Sequence, residues 1–509
     1  MSIARSRAIA LVGMKGEPVE IEAHLGNGIP GFYLVGLADT ALGEARERVR
    51  SALQNAGCEV PNRRCTVNLS PAGLPKHGPS FDLGIALSLL AAAGTVSPDS
   101  VERVVHFGEL GLDGRVRPGS GVLPAVLAAK RAGYQTVMVP EANAQEAALV
   151  DGVRVIGVGS LRAAAIWHGA ELELDEGSAL ASSPEAAAPV VEPTPDLVDV
   201  VGNEEAVEAL IVAAAGGHHM FLYGPPGAGK TMLASRLPSI LPTLTPEAAI
   251  EVASVRSLAG LPVRGLSLRP PFEAPHHTAS PAAIIGGGSS IIRPGAIARA
   301  AHGVLFLDEA PEFSRVALDA LRQPLEQGVI SVHRANLTAS FPANAQLVLA
   351  ANPCPCGQHG SDECRCSPMA RRRYIGRLSG PLLDRIDIQL SVRRLTASAL
   401  HGTGSTTSAA AAERVRAARA AAAERLADTP WRVNSEVPGS WFRGAGGGPR
   451  LSREATATID RALELGSITM RGYDRLLKVA WTVCDLRGGT SPSRDDVDLA
   501  AGLRRAVAR

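Results

Sequence analysis

No charge of either sign dominates this chain. Its 51 Lys and Arg stand against 50 Asp and Glu, a formal net charge of +1 over 509 residues. No global basic field therefore advertises nucleic acid, and any such contact must come from local patches. A membrane-length apolar run is missing too: the longest, Leu83 to Val96, is short and follows Asp82. A secretory leader is not expected, because Ile9-Ala10-Leu11-Val12-Gly13-Met14 is brief and runs straight into Lys15 without a cleavage pattern. Seven cysteines, an odd number outside any secretory context, argue for a reducing cytoplasm rather than a disulfide framework. No repeat recurs at solenoid period. With 46% hydrophobic residues there is material for several cores, and the length predicts roughly two to four domains.

What is present is sharper. The apolar run Met220-Phe221-Leu222-Tyr223 leads into Gly224-Pro225-Pro226-Gly227-Ala228-Gly229-Lys230-Thr231, the GxxxxGKT spacing of a phosphate-binding loop. Glycines let the backbone curl until successive N–H groups point at phosphate oxygens. Lys230 supplies a point charge for the β- and γ-phosphates, and Thr231 a hydroxyl for Mg²⁺. Met232, Leu233 and Ala234 begin a helix whose N-terminal dipole adds to the anion site. ATP with Mg²⁺ is the cofactor this predicts.

A second apolar strand, Val304-Leu305-Phe306-Leu307, ends in Asp308-Glu309. An acidic pair at the carboxyl end of a buried parallel strand sits where α/β sheets place ligands. Asp308 is expected to hold Mg²⁺ through water, and Glu309 to orient or deprotonate the attacking water. A third strand, Leu347-Val348-Leu349-Ala350-Ala351, ends in Asn352, placed to touch the γ-phosphate or that water. ATP hydrolysis is the reaction these segments spell.

Composition divides the chain. Residues 1–170 mix β-like runs (Ala8 to Val12, Phe32 to Val35, Thr66 to Leu69, Thr136 to Val139) with helical segments (Glu44 to Ala56, Asp82 to Ala93), an α+β pattern. Residues 171–195 are acidic and rich in Ala, Ser and Pro, a flexible linker. Residues 196–400 carry the α/β nucleotide core, 401–412 a low-complexity Gly/Ser/Thr/Ala linker, and 413–509 a mostly helical domain.

Together with GPPGAGKT and the Asp308-Glu309 strand, three further stretches carry a family resemblance: Ala274 to Ser289 (APHHTASPAAIIGGGS), Ala351 to Gly357 (ANPCPCG) and Gly380 to Asp387 (GPLLDRID). The chain resembles the magnesium-chelatase-like AAA+ ATPases over nearly its whole length, and more closely their ComM/YifB group. The resemblance implies an AAA+ P-loop α/β core, a C-terminal α-helical lid and a homo-oligomeric, hexameric ring. It places Arg385 at the arginine-finger position, where a guanidinium stabilises charge on the γ-phosphate of the next subunit. Arg471 matches the lid arginine and Arg475, one turn on, is the alternative. A further arginine usual in the family is Trp481 here.

Gln327 to Val332 and Leu337 to Phe341 read as the two strands of a hairpin, joined by His333-Arg334-Ala335-Asn336. In related ring helicases such a hairpin enters the central channel with a basic residue at its tip, here Arg334. Gly286-Gly287-Gly288 is expected to form a second pore loop. DNA, single-stranded or branched, is then gripped by Arg334 with Arg293. The resemblance implies branch migration of DNA in recombination or natural transformation. The same architecture occurs in chelatase subunits that do not move DNA, so a motor acting on metal insertion or a protein partner is the rival.

Cys354-x-Cys356 and Cys364-x-Cys366 are spaced for a tetrahedral structural Zn²⁺ site, with His359 as an alternate ligand; a redox pair or buried thiols fit the same spacing. Arg371-Arg372-Arg373 reads as a phosphate patch or a solvated face. The N-terminal region resembles the proteolytic domain of Lon-type enzymes, of the ribosomal S5 domain 2-like fold, through Pro75 to Ser80, Gly108-Glu109-Leu110 and Val137 to Pro140. Ser80 takes the nucleophile position, but the lysine base aligns with Leu123, and Lys130 is too far along the helix to replace it. A serine without a base is a weak nucleophile, so an ATP-dependent protease is disfavoured.

Overall fold

The structure, a computed structural model, describes residues 2–35, 40–58, 63–74, 76, 78–174, 195–288, 292–334, 337–359, 363–394 and 406–504. Most of the first expected linker (175–194) and the first five residues of the second (401–405) lie outside the described residues.

The N-terminal region is built on β1 (Ser2–Val12), β2 (Lys15–Gly26), β3 (Gly31–Val35), β4 (Arg64–Ser70), β5 (Val105–His106), β6 (Glu109–Leu110), β7 (Val116–Arg117), β8 (Thr136–Pro140) and β9 (Arg154–Val158). Seven of these form one mixed sheet in the order β3-β4-β2-β1-β5-β8-β9, while β6 and β7 pair as a small ribbon. Strand β2 was not foreseen. Its buried Val19, Ile21, Ala23 and Leu25 alternate with Glu20, Glu22 and His24, a period of two that its carboxylates disguise as a polar stretch. Those carboxylates pair across the ladder, Glu20 opposite Arg7 and Glu22 opposite Arg5. The apolar run after Asp82 is the helix Asp82–Ala93, buried on nearly all sides against β1 and β2. An all-apolar helix of this length is a core element.

The nucleotide core comprises β10 (Met220–Tyr223), β11 (Phe272–Glu273), β12 (Gly286–Gly287), β13 (Arg293–Pro294), β14 (Val304–Leu307), β15 (Val329–Arg334), β16 (Leu337–Pro342), β17 (Gln346–Ala351) and β18 (Ile388–Ser391). Five strands form a wholly parallel sheet ordered β11-β14-β17-β10-β18. Leu222, Phe306 and Val348 face one apolar cluster, Phe221, Leu305 and Leu347 the other. Burial on both faces explains why the inner strands β14, β17 and β10 read as nearly unbroken apolar runs.

Helices Ser408–Arg425, Arg453–Glu464, Met470–Arg487 and Arg494–Gly502 make the C-terminal layer and share the Leu222-side cluster. The first begins at Ser408, inside the segment read as linker (401–412). Thr407 caps it by accepting from Ala410 N at 3.2 Å, and the alanines that looked low-complexity are strong helix formers. The N-terminal region docks on the core at two places. Gly121 N donates to Ser257 O at 3.0 Å, and Gly13, in the β1–β2 turn, lies so close to β16 that a Cβ there would be 3.0 Å from Ser340 O and 3.2 Å from Ala339 Cβ. Among the described residues, no helix is long and apolar enough to cross a membrane.

Candidate nucleotide-binding site

The three segments singled out in the sequence converge because their strands are neighbours. Strands β14, β17 and β10 lie side by side and parallel, so Asp308-Glu309, Asn352 and the phosphate loop all emerge at the same carboxyl edge. Lys230, the first residue of helix Lys230–Ile240, is 7% exposed. Its Nζ donates to Gly224 O at 2.7 Å, Pro225 O at 3.0 Å and Asn352 Oδ1 at 3.1 Å. Burial lowers its pKa, while Asp308 and Glu309 act to raise it. Thr231 Oγ1 donates to Asp308 Oδ2 at 2.7 Å, putting a hydroxyl and a carboxylate side by side as a hard oxygen pair suited to Mg²⁺.

Two glycines carry the loop's shape. Gly229, at φ +87°, caps the helix in a left-handed conformation that a side chain would resist. Gly224 has no room for one: a Cβ would sit 2.2 Å from Val392 O. Val392 N in turn donates to Tyr223 O at 2.7 Å, so the ends of β10 and β18 are locked together under the loop.

Glu309 is held in the left-handed region, φ +49° and ψ +43°, a strain non-glycine residues carry mainly at functional positions. Its N–H donates to Asp308 Oδ1 at 2.9 Å, and its carboxylate stands 3.5 Å from His277 Nδ1. His277 escaped the sequence reading because it reaches Glu309 only through the pairing of β11 with β14.

Arg385 and Arg471 are not brought to this cluster. Arg385 donates to Pro381 O at 2.6 Å and pairs with Glu326, and Arg471 is exposed at the start of helix Met470–Arg487 with no ion-pair partner among the described residues. Arg475 is committed elsewhere, to the fully buried Asp387 at 2.9 Å. Asp387 also hydrogen-bonds His218 at 3.1 Å, and despite burial its carboxyl is held well below the usual range by the Arg475 guanidinium and by that hydrogen bond. Trp481 is buried in the lid core, its ring centroid 5.8 Å from that of Phe442 and 4.4 Å below the Arg425 guanidinium.

The hairpin is present with its first strand shifted at both ends, starting at Val329 rather than Gln327. Gln327 ends the helix Pro324–Gln327, and β15 continues through His333 to Arg334, which pairs with Leu337 rather than lying in the turn. The Arg334 side chain is outside the described residues. Gly286-Gly287 pairs with Arg293-Pro294, so exposed Arg293 stands at the base of the second loop.

The four cysteines meet. Sulfur separations are 3.3 Å for Cys354–Cys356, 3.8 Å for Cys354–Cys364, 3.7 Å for Cys356–Cys364 and 3.4 Å for Cys356–Cys366. Sulfurs about 2.3 Å from a zinc at the centre of a tetrahedron stand about 3.8 Å apart, so the donor set fits the ion. His359 is outside the group, hydrogen-bonded to Arg371 at 2.7 Å.

Ser80 lines a cavity of about 720 Å³ at the junction of N-terminal region and core, with Ser120, Glu146, Arg264 and Arg293. Leu123 is fully buried, and its N–H donates to Glu146 Oε1 at 3.1 Å. Lys130 is exposed at the far end of the same helix. Lys76, near Ser80 in sequence, donates instead to the carbonyls of Pro71 and Leu74 at 2.5 and 3.2 Å.

Residues 196–400 match the family described as magnesium chelatase, subunit ChlI; residues 21–143 match subunit ChlI of Mg-chelatase, and 405–504 the ChlI C-terminal family. An uncharacterised protein of Mycobacterium tuberculosis is 47% identical over 512 residues, covering 100% of both chains. Competence protein ComM of Haemophilus influenzae is 40% identical over 511 residues, 100% of this chain and 98% of its own. Lon protease of Mycolicibacterium smegmatis is 34% identical over 143 residues, 26% of this chain and 18% of its own.

Proposed function

The chain belongs to the ComM/YifB group of magnesium-chelatase-like AAA+ ATPases, and from that premise we propose that it is a ring motor that hydrolyses ATP to move on branched DNA in the cytoplasm during recombination. The observation that carries the ATPase part is the meeting of Lys230, Thr231, Asp308 and Asn352 at one sheet edge. Lys230 and the loop N–H groups hold the phosphates; Thr231 and Asp308 hold Mg²⁺, which neutralises charge on the β- and γ-oxygens when bound. Glu309 takes or orients the proton of the attacking water, and Asn352 fixes the γ-phosphate end. Arg385 of a neighbouring subunit, with Arg471 from the lid, completes the site, and the finger supplied from next door is why a ring, a hexamer in this reading, is needed. The four thiolates hold a structural zinc.

The DNA part is supported by the hairpin β15–β16, which leaves the sheet between β14 and β17 with Arg334 beside its turn, and by the likeness to a competence protein. The test is the ATPase rate of the full chain with and without a four-way DNA junction. Stimulation of the rate and movement of the junction are expected. The family's description as a chelatase subunit favours a second reading, a motor that drives metal insertion or remodels a protein partner. An ATPase indifferent to every DNA form would select it.

A further inference from the structure

The four-cysteine knuckle does more than staple a loop: we infer that, with zinc bound, it is the strut that sets the position of the phosphate loop and of Asn352 over the sheet. The inference rests on the zinc reading above and adds a role in nucleotide binding to it. Three contacts in a row join the segment Ala351 to Gly357 to the phosphate loop. Ala351 O accepts from Gly224 N at 3.1 Å. Asn352 Oδ1 accepts from Lys230 Nζ at 3.1 Å. Gly357 lies against Pro226 so closely that a Cβ would meet its Cγ at 2.5 Å and its Cδ at 2.9 Å. Beneath them, Tyr223 Oη donates to Pro353 O at 3.4 Å.

The cysteines are interleaved with these contacts. Cys354, fully buried, comes two residues after Asn352, and Cys356 directly precedes Gly357. Gly357 turns back at φ +74° with its N–H donating to Cys354 O at 2.9 Å. A metal that fixes Cys354 and Cys356 thereby fixes the backbone on both sides of the contact with Pro226. Cys364 and Cys366 complete the set of four sulfurs, and among the described residues no hydrogen bond joins their side chains to the nucleotide site. Because the thiolates bind metal and the loop binds phosphate through one short stretch of backbone, metal occupancy and nucleotide affinity are coupled. The thiols surrender their protons on taking the ion and bind it as thiolates, and no redox step is involved.

The test uses the full chain, with zinc measured by release on thiol blocking and nucleotide affinity read from a fluorescent ATP analogue. The native protein should carry about one zinc per chain. Gly357→Ala should keep its zinc yet weaken nucleotide binding about tenfold, the cost of one overpacked contact. Pro226→Ala added to it should recover the part of that loss due to the clash, because it removes Cγ and Cδ and leaves a Cβ that sits 4.0 Å away, while the strain of a side chain at φ +74° remains in both variants. Cys364→Ser with Cys366→Ser should lose zinc and nucleotide affinity together. Normal affinity in Gly357→Ala, or no recovery on adding Pro226→Ala, overturns the strut. A native protein without zinc sinks the metal reading itself, whereas zinc that can be lost at unchanged affinity sinks only the coupling. If Gly357→Ala does not fold, cobalt exchanged into the native knuckle decides: its thiolate charge-transfer band should shift when Mg·ATP is added, and a band indifferent to nucleotide refutes the inference.

Discussion

The Arg385 guanidinium is paired with the carboxylate of Glu326, in the short helix that runs into the hairpin through Gly328. Its Nε is buried without a partner. The arginine expected to serve a neighbouring ATP site is therefore tied, in its own subunit, to the root of the element expected to touch DNA.

Arg385→Ala should lower the ATPase rate by about 10³-fold in assembled rings, the scale of a lost arginine finger. Lys230→Ala should abolish nucleotide binding. Mixing the two proteins should return activity above either alone, because each subunit supplies what the other lacks. Absence of complementation in verified mixed rings would falsify a finger acting between subunits.

Glu309→Gln should bind Mg·ATP with native affinity and hydrolyse it about 10²-fold more slowly. Equilibrium binding and single-turnover hydrolysis measure the two halves. An unimpaired rate would remove Glu309 from the water-activating role and leave its strained backbone without a functional account.

Arg334→Ala should weaken DNA binding and junction movement while sparing basal ATPase, since the residue lies outside the phosphate-loop cluster. The salt dependence of DNA binding should fall by about one unit of slope at most, the worth of one phosphate contact. Salt titrations of native and variant protein check this, and identical slopes and affinities assign the grip elsewhere.

Peptide cleavage should be undetectable, and Ser80→Ala should leave ATP and DNA activities unchanged. Leu123→Lys, which restores the residue types of a Ser–Lys dyad, should cost on the order of 3 kcal/mol of stability rather than create a peptidase, because position 123 lies wholly in the core. Denaturation curves and a peptidase assay on this variant separate the outcomes.

His106 and His168 face each other in the N-terminal core, Nε2 to Nε2 at 3.1 Å, with His168 Nδ1 2.9 Å from Ser100 Oγ. Burial lowers both pKa values, that of His168 to about 4 from an ordinary 6.5. The folded state thus binds fewer protons than the unfolded chain below pH 6.5. Stability from this pair is fully present above that value and is lost as pH falls towards 4. The unfolding midpoint of the N-terminal domain should drop over this window, and His168→Gln should flatten the profile.

Much of the nucleotide site was legible because its parts follow strands whose burial on both faces writes them as unbroken apolar runs. Lys230, Thr231, Asp308 and Asn352 could be placed on strand ends, and the sheet order supplied their meeting. What could not be read depends on pairings between distant segments. Nothing in the spacing of His277, Glu326 or Gly357 points to Glu309, Arg385 or Pro226. Strand β2 was missed because its exposed face is acidic, and the start of the helix at Ser408 because alanine repeats look the same in a linker and in a helix. Arg475 shows the reverse error: its position one turn from Arg471 suggested a nucleotide contact, whereas a buried carboxylate, Asp387, claims it.

The lock between β10 and β18 has a mechanical consequence. Val392 is bonded to Tyr223 and touches Gly224, and three residues before it Gln389 N donates at 2.8 Å to Leu503 O, just past the last helix of the C-terminal layer. Tension applied by that layer arrives at the first glycine of the phosphate loop along a few covalent bonds and two backbone hydrogen bonds, without crossing a side-chain contact that can slip. The lever arm is short and stiff, so a small swing of the helices against the sheet is delivered to the nucleotide as displacement rather than absorbed as compliance.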